Sequence, residues 1–466
     1  AHQFCLPRSQ MEDLISGVKE ELKTNNVPAA VRQIQEYLEK ESNTPLNIAV
    51  TGETGSGKSS FVNAFRGINN KDKGAAPTGA TETTMYVTPY LHPTYENVTL
   101  WDCPGIGSPN FPADKYLMQI GLKEFDFFII MSADRFREND VKIAQEIQKM
   151  NKKFYFVRSK IDHSLKDEEQ SQNDFDAKKT LACIEKNCID GLRRSGIESP
   201  QVFLVSNFEL HQYDFSRLHD TLERELPEHK RNALLFAMPN INLEIIDKKK
   251  EAFRSKIKYY ALLSAAVAGV PIPGLSITVD ITVLAGVITQ YVFGFGLDIP
   301  SLERLSATTG VSFNDLLDVI FSPLAAVKIT NGLILKVTSQ LAGSFTLIAA
   351  EEACKWIPVV GIPVAMGFSF TSTYNILKSF LDMLALDAQR VFERNMIRML
   401  WCTKHICFSK NSSYVFSLYF KLILFIYTRR DRQKGKGRKR SEKEKRKKRR
   451  EKKQKQNKGQ KRIIKE

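Results

Sequence analysis

A glycine-rich stretch at residues 52–59 has the residue types and the spacing of a phosphate-binding loop. Gly52 and Gly57 are separated by four residues, and Lys58 and Ser59 follow directly. Glycines let successive backbone N–H groups turn toward phosphate oxygens, the lysine bridges the β- and γ-phosphates, and the serine hydroxyl binds Mg²⁺. We therefore predict a nucleoside triphosphate site in which these residues contact the nucleotide: Gly52, Glu53, Thr54, Gly55, Ser56, Gly57, Lys58, Ser59 and Ser60.

A second motif predicts which base is bound. The strand-like run 153–158 leads into Ser159, Lys160 and, two residues later, Asp162, which is close to the Asn/Thr-Lys-x-Asp pattern of guanine recognition. An Asp carboxylate accepts from the ring N–H and the exocyclic amine of guanine, whereas adenine offers no such pair of donors. We predict that Asp162 reads guanine beside Lys160. Ser159 departs from the pattern but keeps a hydroxyl able to tie this turn to the phosphate loop.

The end of a third strand-like run supplies a weaker signal for the same base. The apolar run 201–205 is followed by Ser206 and Asn207. A small residue and a backbone N–H at this point would meet the carbonyl oxygen of guanine. We therefore include both residues in the predicted nucleotide site, although most apolar strands that end in this way are only strands.

An Asp-x-Pro-Gly pattern at a strand end predicts the metal side of the site and a switch. Asp102 would hold Mg²⁺ through a water, and the Gly105 N–H would sense the γ-phosphate, so Lys58 and Gly105 are catalytic candidates. The next residue is Ile106, whose aliphatic side chain cannot orient an attacking water. Hydrolysis then needs a residue from elsewhere in the chain, a second copy of the protein, or the substrate phosphates. The hydroxyl-rich segment 78–84 is the predicted first switch, and its spacing does not choose which threonine completes the metal shell.

These motifs together resemble those of the immunity-related, interferon-inducible GTPases. The resemblance continues into the helical part of that family and covers roughly residues 8–397. Lys58 matches the Gly-Lys-Ser members of that family rather than the Gly-Met-Ser members. The segments that carry the resemblance are residues 52–64, 101–108, 154–162, 264–274 and 387–394.

The resemblance implies an α/β fold, with a Ras-like P-loop GTPase domain whose mostly parallel sheet is flanked by helices. An all-helical domain built from N- and C-terminal segments accompanies it. The family relationship also implies GTP as substrate, Mg²⁺ as cofactor, and GTP-dependent self-association or hetero-assembly with related GTPases. Within the site it implies that Thr84 is the metal-binding threonine and that Glu82 takes part in hydrolysis in the dimer.

Composition separates a globular part from a basic end. The chain has 466 residues and a net charge of +16, and residues 429–466 alone carry 22 Lys and Arg against five Asp and Glu. The basic excess therefore lies in that tail, and it gives no reason to predict nucleic-acid binding by the remainder. We predict five segments: an N-terminal helical segment 1–44, a GTPase domain 45–225, a helical domain 226–397, an apolar segment of uncertain status 398–428 and a disordered basic tail 429–466.

Two long apolar stretches, at residues 259–297 and about 341–370, raise the question of membrane insertion. Prolines, glycines and charged residues interrupt both of them. We predict buried helices of the helical domain, and peripheral or reversible insertion is the alternative. A further apolar run at 414–427 is shorter than the about 20 residues of a full span.

Cellular location follows from weaker signals. The seven cysteines are scattered without the spacing of a zinc site or a disulfide framework, and no secretory signal opens the sequence. We expect a cytoplasmic protein with peripheral association to the endoplasmic reticulum, Golgi or a vacuole. The favoured function is GTP hydrolysis coupled to self-assembly in interferon-linked, cell-autonomous defence. The alternatives are a GTP-gated regulatory scaffold with negligible hydrolysis and a GTPase that binds nucleic acid through its basic tail.

Overall fold

The computed structural model describes residues 26–79, 84–106, 125–133, 137–268, 275–340 and 361–407, together with a few positions between 16 and 24. Glu82, the predicted participant in hydrolysis, lies outside these residues. The apolar run at 414–427 and the basic tail at 429–466 lie outside them as well, so the predictions made for these three parts of the chain stay predictions.

A six-stranded sheet forms one part of the fold, in the spatial order β2-β3-β1-β4-β5-β6. Only β2 runs antiparallel to its neighbour, and the other pairs are parallel. The central strands are nearly continuous apolar runs, as expected when both faces of a parallel sheet are covered by helices. The strands are β1 (Leu46–Gly52), β2 (Thr88–Leu91), β3 (Val98–Asp102), β4 (Phe127–Ser132), β5 (Lys153–Arg158) and β6 (Val202–Leu204).

Strand register brings the predicted motifs to one edge of the sheet. Val50 in β1 lies opposite Asp102 at the end of β3, and Gly52 at the end of β1 lies opposite Met131 near the end of β4. Arg158, which ends β5, pairs with Leu204, which ends β6. Ligands of open α/β sheets bind outside the carboxyl ends of the strands, so this edge is where a site is expected.

Thirteen helices are described in the ranges given above, and they cover both faces of the sheet and form the helical region. Their bounds are α1 (Val27–Asn43), α2 (Lys58–Phe65), α3 (Glu138–Lys149), α4 (Ile161–Ser171), α5 (Ala177–Arg194), α6 (Phe215–Glu225), α7 (Glu228–Ala237), α8 (Leu243–Ala268), α9 (Leu275–Gly294), α10 (Ile299–Thr309), α11 (Phe313–Leu317), α12 (Asn331–Gln340) and α13 (Gly361–Cys407).

Two apolar cores enclose the sheet. On one face, Phe61 and Phe65 of α2 pack with Phe215 of α6 against inward-facing residues of the strands. On the other face, residues of α3 and α5 pack against the strand side chains that point toward that face. Ile147 and Leu192 are among these helix residues. Because strand residues alternate between the two faces, β1 and β3 to β6 contribute to both cores.

The helical region has its own core, formed by α8 to α13. The N-terminal helix α1 joins it, since Ala30 and Ile34 are buried against Tyr259 and Leu263 of α8. A helical unit that takes segments from both sides of the GTPase sequence was the expectation, and the observed packing confirms it. Among the described residues, the stretch Asp280–Thr309 is long enough and apolar enough to cross a membrane. Half of its most apolar 18-residue segment is buried within the protein.

Contacts divide the chain into two compact units, residues 1–395 and residues 396–466. The first unit contains the sheet together with the helical region. The finer division predicted at 45–225 and 226–397 stays a prediction. The predicted start of a separate segment at residue 398 falls within α13, which continues to Cys407.

Candidate nucleotide site

The phosphate loop connects β1 to α2, as the sequence predicted. Gly57 has a left-handed backbone (φ 87°, ψ 22°) at the start of α2, a conformation that side-chain-bearing residues seldom adopt. Lys58 is buried, and its Nζ donates to Gly52 O (3.1 Å) and Glu53 O (2.8 Å). These carbonyls hold the ammonium group over the loop, which is where a bound phosphate would meet it.

The three predicted metal-binding residues come together beside this loop. Asp102 Oδ2 accepts hydrogen bonds from Ser59 Oγ (2.6 Å) and Thr84 Oγ1 (3.1 Å). The two hydroxyl oxygens are themselves 3.4 Å apart. Among the described residues of the predicted first switch, Thr84 is thus the threonine that lies at Asp102.

This oxygen cluster suits Mg²⁺, a hard cation that prefers carboxylate, hydroxyl and water ligands. Asp102 is fully buried, and its Oδ1 has no hydrogen-bond partner among the described residues. Burial is the largest effect on the Asp102 carboxyl, and it raises the pKa of this group. The hydrogen bonds from Ser59 and Thr84 and the positive charge of Lys58 act in the opposite direction and lower the pKa. A buried carboxylate without a full set of partners is costly, and a divalent cation with its waters would satisfy it.

Two more buried polar atoms at the site lack partners among the residues described. They are Ser56 Oγ in the phosphate loop and Asn207 Oδ1 in the turn after β6. Buried polar groups in folded proteins are normally hydrogen-bonded. Their position beside the loop fits a polar ligand such as a nucleotide.

The predicted switch glycine packs directly on the phosphate loop. A Cβ atom at Gly105 would lie 2.8 Å from Thr54 N and Thr54 Cα, and closer still to Thr54 Oγ1. The next residue, Ile106, donates its N–H to Gly52 O (3.2 Å). Its side chain is only 3% exposed and belongs to the core on the α3 and α5 side of the sheet. The side chain after the switch glycine therefore does not face the phosphates.

The guanine motif is joined to the phosphate loop through Ser159, as its hydroxyl suggested. Ser159 Oγ lies 2.6 Å from Ser56 O and 3.1 Å from Ser132 O, and the Ser159 side chain is fully buried. Lys160 is exposed and has a left-handed backbone (φ 55°) immediately before α4. Asp162 stands in the first turn of that helix and is 7% exposed.

Ser206 and Asn207 lie next to these residues. Ile161 N donates to Val205 O (3.3 Å), which fixes the turn after β5 against the turn after β6. Asn207 Nδ2 donates to Gly57 O (3.0 Å), and Ser206 is fully buried. The structure thus gathers the predicted phosphate-side, metal-side and base-side residues at one edge of the sheet. Ser60 is half-buried in α2, and Thr54 and Gly55 are exposed on the loop.

The sequence analysis did not identify a pair of hydrogen bonds that hold the side chain of Glu53 in the phosphate loop. The Glu53 carboxylate accepts from Arg137 Nη1 (2.7 Å) and from Asn139 Nδ2 (2.9 Å), both at the start of α3. This contact fixes the side chain of the first residue after Gly52. Polar residues before an amphipathic helix predict the start of that helix. The spacing of Arg137 and Asn139 did not indicate a contact with the phosphate loop.

The sequence analysis also did not identify a buried carboxylate, Asp140, next to the contact between Arg137 and Glu53. Asp140 Oδ2 accepts from Ser132 Oγ (2.8 Å) and from Arg137 N (3.2 Å), and Asp140 is 1% exposed. Burial raises the pKa of Asp140 to about 6, and the nearby Glu53 charge adds to the rise. Because Ser132 O also meets Ser159, this carboxyl is linked to the guanine motif through one strand end.

Comparisons with known proteins identify the family. The family described as interferon-inducible GTPase matches residues 11–395. Interferon-inducible GTPase 5 of Rattus norvegicus is 40% identical over 389 residues, covering 82% of this chain and 83% of the relative. Interferon-inducible GTPase 1 of Mus musculus is 39% identical over 313 residues, covering 67% and 76%. The G domain of the T. maritima FeoB iron transporter covers 38% of this chain at 18% identity with a TM-score of 0.24, a likeness too low to support an argument. With its guanine and phosphate motifs gathered in one site, this chain belongs to the interferon-inducible, immunity-related GTPase family and is a GTPase.

Proposed function

We propose that this GTPase completes its catalytic site by assembling with a second copy of itself when GTP is bound. The observation that carries the proposal is the burial of Ile106, at 3% exposure, beside an otherwise well-formed site. The residues predicted for the phosphates, the metal and the base lie together at one edge of the sheet, which supports the proposal, while the side chain after the switch glycine points into the core. A lone subunit that cannot orient water at that position is expected to hydrolyse GTP slowly.

A second subunit that meets the first across its nucleotide would supply what is missing. It would bring a polar group to the γ-phosphate and exclude bulk water, and fixed polar groups in a dry site stabilise developing charge more strongly than solvent does. The family resemblance points to Glu82 as a contributor. Thr54 and Gly55 are exposed on the loop, so this side of the site is open to a partner.

The assembly step is tested by sedimentation velocity of the full chain with Mg²⁺ and GDP, GTP or a non-hydrolysable GTP analogue. We expect larger species with the analogue and with GTP, and subunits alone with GDP. Ser59→Ala, which removes a metal-side hydroxyl, should abolish the difference, whereas Ser171→Ala, an exposed serine on α4, should keep it. Equal sedimentation in all three nucleotides would contradict the proposal.

The cellular setting belongs to the same proposal. We place the protein in the cytoplasm, with peripheral association to the endoplasmic reticulum, Golgi or vacuolar membranes, and in interferon-linked defence. The names of its relatives support the interferon link, and the apolar stretch Asp280–Thr309 is compatible with membrane contact. Co-sedimentation with anionic vesicles in the presence of the GTP analogue tests the membrane part. Loss of pathogen restriction in interferon-treated cells lacking the protein tests the defence part, and no effect of its removal would count against it.

A further inference from the structure

One large apolar side chain beside the guanine motif remains without a role. Phe208 follows Ser206 and Asn207, and its side chain is 67% exposed. Its backbone is well held, because Phe208 N donates to Ser206 Oγ (3.3 Å) and Asn207 Nδ2 donates to Gly57 O (3.0 Å). A fixed loop thus presents an aromatic ring to solvent one residue away from a contact with the phosphate loop.

The position of the base is set by the two neighbouring turns. β5 and β6 pair in parallel with Arg158 opposite Leu204, and Ile161 N donates to Val205 O (3.3 Å). Asp162 and Phe208 therefore follow adjacent strand ends at the same edge of the sheet. A base whose edge is read by Asp162 lies over this pair of turns.

Electrostatics agrees with this placement. Glu209, the residue after Phe208, is half-buried, and burial raises the pKa of its carboxyl. The Asp162 charge contributes to the same rise, so the segment that carries Phe208 stands within electrostatic reach of the guanine reader.

We propose that the Phe208 ring stacks on a face of the guanine base whose edge Asp162 binds, and so contributes to nucleotide affinity without contributing to base choice. The proposal rests on guanine-nucleotide binding at this site. Every base has a π-face, so stacking on an aromatic side chain strengthens binding whichever base is present. Selectivity stays with hydrogen bonds to Asp162.

The first test measures the dissociation constants of GDP and IDP for the full chain, at protein concentrations low enough to avoid assembly. Inosine lacks the exocyclic amine that Asp162 would bind, so the ratio of the two constants reports base reading. We expect Phe208→Ala to weaken both by the same factor, roughly 5- to 150-fold, the range that stacking accounts for. Phe321→Ala is the matched control, because Phe321 is a 73% exposed phenylalanine in the helical region. It should leave both constants unchanged.

A second variant gives a direct signal. In Phe208→Trp, addition of GDP should quench the indole fluorescence beyond any change seen with the three native tryptophans. Unchanged dissociation constants in Phe208→Ala, or no added quenching in Phe208→Trp, would overturn the proposal. So would Phe208→Ala with normal GDP binding and a weakened dependence of GTP hydrolysis on protein concentration, since that result would assign the ring to the contact with a second copy.

Discussion

At the scale of single residues, the site depends on a few oxygen atoms held by main-chain geometry. Ser59 and Thr84 both donate to Asp102, and Ser159 carries its hydroxyl to the phosphate loop. Each contact joins residues that are far apart in the sequence, so the fold of the sheet edge assembles them. Removal of a single member is expected to change binding without unfolding the chain.

Asp162→Asn tests the guanine assignment. The neutral amide loses two charge-assisted hydrogen bonds with guanine, and such bonds contribute about 1.5–3 kcal/mol each, so GTP affinity should fall at least roughly 100-fold. Xanthine carries a carbonyl oxygen where guanine has its amine, and the Asn amide can donate to it, so XTP affinity should rise. Fluorescence titration of both nucleotides gives the constants.

Asp167→Asn is the control for that substitution, because Asp167 is an exposed carboxylate on the same helix, α4. It should leave both affinities unchanged. If Asp162→Asn bound GTP as tightly as the unsubstituted chain does, the base would be read by another residue.

Sequence patterns placed a residue well where one motif carries one chemical task, and the roles assigned to these residues stay predictions. Lys58, Asp102 and Asp162 lie where their patterns indicated. Arg137 and Asp140 were not predicted, because their partners are a loop residue and a strand-end serine that only folding brings near. Ser159 is an intermediate case. Its hydroxyl predicted a hydrogen bond to the phosphate loop, but only the structure identifies the acceptor as Ser56 O.

At the scale of elements, three segments meet at the carboxyl edge of the sheet: the phosphate loop, the switch after β3 and the start of α3. The switch is joined to the loop by Ile106 N–H to Gly52 O and by the contact of Gly105 with Thr54. The start of α3 holds Glu53 from the other side. Motion of the switch is therefore expected to depend on close packing at Gly105.

Gly105→Ala tests that packing. An added methyl group would lie 2.8 Å from backbone atoms of Thr54, so the loop and the switch must separate. We expect GTP hydrolysis to fall by at least roughly tenfold, while GDP affinity, which does not need the γ-phosphate contact, changes less. Steady-state hydrolysis and GDP titration measure the two effects. Gly367→Ala in α13, where an added methyl meets open space, should be silent in both assays. Normal hydrolysis by Gly105→Ala would show that the close contact is dispensable.

Asp140 makes the start of α3 sensitive to pH. Its pKa is raised from 3.8 to about 6 in the folded chain, chiefly by burial. The folded state therefore binds the proton more tightly than the unfolded state does. This contribution to stability is complete below about pH 4 and is lost as the pH rises through about 6, with an upper limit of about 3 kcal/mol.

Asp140→Asn should remove that dependence. Because an amide keeps an acceptor for Arg137 N–H and carries no buried charge, the variant should gain stability relative to the unsubstituted chain as the pH rises from 4 to 7. Thermal unfolding across this range gives the difference. Asp176→Asn, which replaces a less buried carboxylate at the start of α5, should not show the trend. A constant difference between Asp140→Asn and the parent would refute the role assigned to the buried carboxyl.

At the scale of the whole molecule, the sheet and the helical region share one compact unit, residues 1–395. Tyr95, in the turn between β2 and β3, stacks on Phe236 of α7, which stacks in turn on Phe253 of α8. Lys249 Nζ donates to Met238 O (2.6 Å) and Gly294 O (2.9 Å), joining α8 to both neighbouring segments. A hairpin next to the first switch is therefore in packing contact with the helices.

The architecture was predictable in outline because apolar runs that end in motif residues indicate a parallel sheet, and long apolar patterns after residue 225 indicate helices. The inclusion of an N-terminal segment in the helical region followed from the family resemblance rather than from residue patterns, and its contacts with Tyr259 and Leu263 required the structure. The buried hydrogen bonds donated by Lys249 were not predicted, because a lysine in a helical pattern is ordinarily assigned to the solvent-exposed face of the helix.

We propose that one subunit binds GTP but that two are needed to hydrolyse it efficiently. The most direct measurement is steady-state GTP hydrolysis by the full chain, with ATP as control, over a wide range of protein concentration. We predict that activity per molecule rises with concentration for GTP and stays near zero for ATP. Activity per molecule that is substantial and independent of concentration would contradict the account, and negligible turnover at every concentration despite tight GTP binding would identify a regulatory scaffold instead.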